Sequence, residues 1–222
     1  MYLLIFFCEF ILLSFLSHIL SQSLTMFFHR ITKSKTIAVF LLAILFFPGT
    51  LIHEIAHYLM ARLLFVEAGN MKLLPVLQGD SVKLGSVLIG KSDWLRRILI
   101  GVAPFLFGCG LMVGLLYAAF SYYSVLPRWA LIVFGYVIFE IGNTMFSSKK
   151  DLEGTIEFLL VAIGLFALLY VLGFRLPSSI LQHIWTIQLP QPAHTIQLLL
   201  AVPLIIDIAI IVLLRFLLSV FR

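Results

Sequence analysis

His53, Glu54 and His57 are the residues whose types and spacing could do chemistry. They lie near the middle of an apolar run, residues 36–65, that reads TIAVFLLAILFFPGTLIHEIAHYLMARLLF. On an α-helix, positions i and i+4 share a face, so both imidazoles can reach one metal ion. Glu54 follows His53 directly and can orient or deprotonate a water bound to that ion. Zinc suits such a pair because it lowers the pKa of its water to about 7 and polarises a carbonyl. The alternative is structural, with the histidines bonding to neighbouring helices and Glu54 neutral. In lipid such residues cost several kcal/mol by order of magnitude unless something uses them, which favours the metal.

The surroundings must be lipid on compositional grounds. Of 222 residues, 62% are hydrophobic and 11% charged, less than half the roughly 25% charged of soluble domains. No soluble fold of this size can hide that much apolar surface. The net charge of +5 does not argue for nucleic acid, because the basic residues are scattered between apolar runs as membrane-edge signals. Cys8 and Cys109 both fall inside such runs and read as small buried hydrophobes.

The expected architecture is an all-α polytopic membrane protein forming a single membrane domain, 1–222. Six spans are expected, near 2–22, 36–62, 97–121, 129–147, 154–174 and 197–219. The first lacks a basic leader and contains Glu9, so it reads as a retained span. Between the second and third, residues 69–92 carry glycines, β-branched residues and Pro75, with Gln78-Gly79-Asp80 as a turn. That pattern predicts a small β-hairpin at the membrane edge, an irregular loop being the alternative. Trp185 reads as an interfacial anchor, and Gly108, Gly110 and Gly114 as points of close helix packing. Six alternating spans would put ten Lys and Arg on the side of both termini and five on the other. Both termini are therefore expected in the cytoplasm, although the Arg30–Lys35 cluster pulls the other way.

Pro48-Gly49-Thr50 should interrupt the second span just before the histidines, with Thr50 capping the restarted helix. A catalytic zinc takes three protein ligands and keeps an open position. Asp151 is the leading third candidate, since it follows the fourth span on the side where the second ends. Glu140 lies deeper and is the alternative; Glu9 and Asp207 read as paired or snorkelling polar groups in the outer helices.

At these residues the chain resembles the site-2 protease family of intramembrane zinc metalloproteases. That family joins H-E-x-x-H to a later N-x-x-P-x-x-x-L-D-G motif. Asn143 and Asp151 keep its eight-residue spacing here, while Phe146, Lys150 and Leu152 depart from it. Gly101-Val-Ala-Pro104 is similar to the small-residue segment opening the family's central span. The resemblance covers about 36–160 as a three-span catalytic core. It implies zinc on His53, His57 and Asp151, Glu54 as general base and then proton donor, and Asn143 on the substrate backbone or oxyanion. It also implies substrates that are transmembrane segments of membrane proteins or leftover signal peptides, which must unwind before cleavage. An edge strand within 69–92 could hold the unwound peptide. Two other classes fit the same residues: a non-hydrolytic zinc transporter or sensor, and a membrane metalloprotease of another family using Glu140.

Overall fold

The computed structural model describes residues 2–78, 81–145, 149–174 and 192–220. Among these, seven helices carry most of the chain: α1 (Tyr2–Thr32), α2 (Lys35–Leu45), α3 (Phe47–Leu63), α4 (Trp94–Ser121), α5 (Arg128–Thr144), α6 (Lys149–Val171) and α7 (Pro192–Val220). Four of them are long and apolar enough to cross a membrane, or five spans if α2 and α3 count as one. Large apolar side chains such as Phe15, Phe166 and Phe216 face outward, as lipid contact requires.

Local chemistry sets the ends of these helices. α1 runs on past the expected end near residue 22 because no breaker intervenes. Thr25 and Thr32 return their hydroxyls to the carbonyls four residues back. Lys33, at φ 54, terminates it, and the Ser34 side chain accepts from the Ile37 N–H to start α2. Asp93 caps α4 through the Arg96 N–H. α5 is 17 residues long, only about 26 Å at 1.5 Å per residue. It falls short of a roughly 30 Å hydrocarbon core, so the expected fourth span is a shorter element whose polar end is covered by protein.

The expected second span is broken. α2 and α3 meet at 70°, with Phe46 as the joint and Pro48 in the first turn of α3. Thr50 is not the cap: it lies inside α3, and its N–H makes a 2.9 Å bond to the Phe46 carbonyl. Its hydroxyl has no partner among the described residues. Packing fixes Phe46 at the joint, since its ring stacks on Phe139 at 6.0 Å and is 2% exposed.

Residues between α3 and α4 form two antiparallel pairs. The outer pair is β1 (Ala68–Lys72) with β4 (Ser86–Ile89), and the inner is β2 (Val76–Gln78) with β3 (Ser81–Lys83). Gln78 faces Ser81; Gly79 and Asp80, the expected turn, lie outside the described residues, as does Trp185. β1 and β4 pack against α3.

α1 and α7 lie side by side and run the same way. Leu13 shares one apolar cluster with Leu200 and Leu204, and Leu20 and Leu24 share the next with Ile211 and Leu214. At the far end Arg30 donates to the Leu218 carbonyl at 2.7 Å. The start of α1 and the end of α7 therefore sit at opposite ends of the bundle, not at one end as six alternating spans would require. The ten-against-five count assumes six alternating spans, so the basic residues no longer choose an orientation. Of Gly108, Gly110 and Gly114, the expected packing points, only Gly108 meets a neighbour among the described residues, Met145 and Ile141. Reporters fused before Tyr2 and after Val220 should be accessible from opposite faces of the membrane. Accessibility from the same face would mean that α1 or α7 does not cross.

Candidate metal centre

α3 presents His53, Glu54 and His57 to the interior, at 3%, 4% and 8% exposure. The helical spacing brings the two rings edge to face, with centroids 4.8 Å apart and Nε2 atoms 3.1 Å apart. Asp151, in the first turn of α6, meets both. Its Oδ2 lies 3.3 Å from His53 Nε2 and its Oδ1 3.2 Å from His57 Nε2. Among the described residues these three form one group able to hold a metal ion.

Neighbouring backbone fixes the group. His57 Nδ1 lies 2.8 Å from the Ile100 carbonyl, an arrangement that leaves Nε2 as the ligand nitrogen when Nδ1 carries the proton. One residue on, Gly101 meets Gly154 of α6: a Cβ on Gly154 would stand 3.3 Å from the Gly101 Cα. Two glycines thus let α4 and α6 approach backbone to backbone, and Asp151 is one turn before that crossing. Thr155 returns its hydroxyl to the Asp151 carbonyl at 2.7 Å. The small-residue segment opening α4 therefore does a positional task, and its partner Gly154 carried no signal in the sequence.

Glu54 lies under the β region. A Cβ placed on Gly85 would come within 3.0 Å of Glu54 Oε1 and Cγ and 2.8 Å of Thr50 Cγ2. The turn before β4 therefore runs directly over this carboxyl, and a side chain at 85 would have to displace Thr50 or Glu54. Beside His53 a void of about 10 Å³, lined by Gly49, Pro104 and Thr144 among others, has room for about one water.

Two expected participants are elsewhere. Asn143 Nδ2 donates to Phe139 O at 3.1 Å and to Asp207 Oδ1 at 2.8 Å, and Ser17 donates to the Asn143 carbonyl. Both amide hydrogens are thus engaged, so holding an oxyanion would require Asn143 to release one of these partners. Asp207 is a paired polar group, as its place in an outer helix suggested. Glu140, the alternative ligand, is fully buried and accepts the Gly49 N–H at 3.3 Å; it is not a member of the His–His–Asp group.

Replacing Asp151 by Ala should weaken metal binding by at least about 100-fold. Gly154→Val, which pushes α6 away from α4, should weaken it by about ten-fold, the scale seen when a ligand loses its orienting support. Competition against a chelator of known affinity reads both; unchanged binding in Asp151→Ala would remove that carboxylate from the centre. The chain matches no protein-family model, no curated protein and no solved structure.

Proposed function

We propose that the chain is an intramembrane zinc metalloprotease that hydrolyses peptide bonds in or near transmembrane segments. The observation that carries this reading is the donor spacing at the centre. Donors about 2.0–2.2 Å from one tetrahedral ion lie about 3.3–3.6 Å apart, and the three separations, 3.1, 3.2 and 3.3 Å, fall at or just below that range. Two imidazoles and one carboxylate make a borderline-soft set that suits zinc and leaves one position open. When bound, zinc supplies Lewis acidity towards a carbonyl and lowers the pKa of a bound water.

The protein's own groups then have distinct tasks. His53, His57 and Asp151 hold the ion, and Ile100 orients His57. Glu54 takes a proton from the attacking water and delivers it to the amine as the peptide C–N bond breaks. β4 begins one residue after Gly85, beside Glu54, and among the described residues pairs only with β1. An unwound substrate strand added along its other edge would run towards that carboxyl. Because the centre is buried, the substrate enters only after some element moves. The site-2 protease resemblance points to the same three ligands and the same general base. The partners this site serves are the lipid bilayer and a membrane-spanning protein or peptide substrate.

The test uses purified protein in detergent with a panel of transmembrane peptides. Wild type should bind one zinc per chain and cleave; Glu54→Gln should keep the zinc and lose at least about 100-fold in rate. Gly85→Val should likewise bind zinc but cleave poorly, because its side chain displaces Glu54. Zinc bound with no peptide cut by wild type would favour a transporter or sensor, and flux through reconstituted vesicles would then be the measurement. Absence of zinc would end the protease reading.

A further inference from the structure

The buried carboxylate of Glu140 answers a problem created by the break at Phe46. The first N–H groups of any helix lack intrahelical partners, and hydrocarbon offers no water to replace them. A side chain at the cap residue usually supplies the acceptor. Phe46 has none, and no side-chain cap bond is made there. Pro48 brings no N–H. The next N–H, that of Gly49, points to Glu140 Oε2 of α5 at 3.3 Å, the bond a capping side chain would otherwise accept.

The approach is close on both sides. A Cβ on Gly49 would stand 2.7 Å from the Glu140 carbonyl and from Thr144 Oγ1, and Thr144 donates that hydroxyl to the same carbonyl at 2.8 Å. Gly49 precedes His53 by one helical turn, about 6 Å of rise, and α5 is the helix before α6, which bears Asp151. The cap therefore links the helix bearing both histidines to α5.

We infer that Glu140 is a positioning residue: it caps α3 from a neighbouring helix and so fixes the height and rotation of His53 and His57 relative to Asp151. This rests on the metal reading of those three residues. It separates Glu140 from the ligands, because its effect passes through the Gly49 N–H.

Three variants test it: Glu140→Gln keeps an acceptor at the same reach, Glu140→Asp keeps the carboxyl but shortens the reach, and Glu140→Leu removes the acceptor. Hydrogen exchange of a peptide covering 47–56 is followed without metal, and cobalt is then added to read affinity and the visible absorption of the site. The expected result is several-fold faster exchange, cobalt affinity lower by about ten-fold and an altered spectrum in the Asp and Leu variants. Glu140→Gln should restore all three to wild type. If the Leu variant does not fold, the Asp and Gln variants decide alone.

Equal exchange in wild type and Asp variant would overturn the cap. Faster exchange with an unchanged cobalt spectrum and affinity would leave a purely structural bond and overturn the positioning role. A wild type that takes up no cobalt would overturn the metal reading and, with it, the role. That failure is told apart from failure of the cap because exchange is read on the metal-free chain.

Discussion

Everything in this fold depends on bringing one carboxylate and two imidazoles together among helices whose other faces are apolar. Buried away from water, such groups cost several kcal/mol each by order of magnitude unless they find partners. The partners here come from three different helices. α3 supplies His53 and His57, α6 supplies Asp151, and α4 supplies the Ile100 carbonyl that orients His57. None of these elements could place the group alone, so the bundle must hold three helix axes at close separation. Small residues make that possible: Gly101 against Gly154 between α4 and α6, and Gly49 against Glu140 and Thr144 between α3 and α5.

The break at Phe46 belongs to the same problem. A straight helix from Lys35 to Leu63 would carry the histidines along the direction set by α2 beside α1. Turning by 70° lets α3 lean across α4 and α5 while α2 stays with α1. The turn exposes helix-end N–H groups in the interior, and Glu140 accepts one of them. Phe46 fills the corner against Phe139. Thus the polar residues of α5 face two ways. Glu140 and Thr144 meet α3, while Asn143 meets Asp207 of α7.

The His–His–Asp group was legible in the sequence because its main constraint is local. His53 and His57 share a helix face whatever surrounds them, and Asp151 follows from the alternation of neighbouring spans. That residues 69–92 carry strands was legible from their glycines and branched residues, but not that the strands form two separate pairs. What could not be read depends on distant packing. Gly154 is one glycine among many until Gly101 is seen against it, and Glu140 is an unexplained acid until the N–H at Gly49 needs an acceptor. The direction of α7 beside α1 is set by which leucines interdigitate. A count of basic residues assumes strict alternation, and so misplaces the end of the last helix.

Burial of the centre limits how it can open. Asp151 stands in the first turn of α6, so any motion that swings this end of α6 outward carries a donor away from both histidines. Shifting α4 there would also release Ile100 from His57 and separate the Gly101–Gly154 crossing. The turn before β4 is different: Gly85 lies over Glu54 and Thr50, yet it contributes no donor to the His–His–Asp group. Lifting that turn uncovers the carboxyl while every donor keeps its place. Between elements of unequal cost, the one whose displacement leaves every donor in place is the easier to move, and here that element also carries the strand edge nearest Glu54.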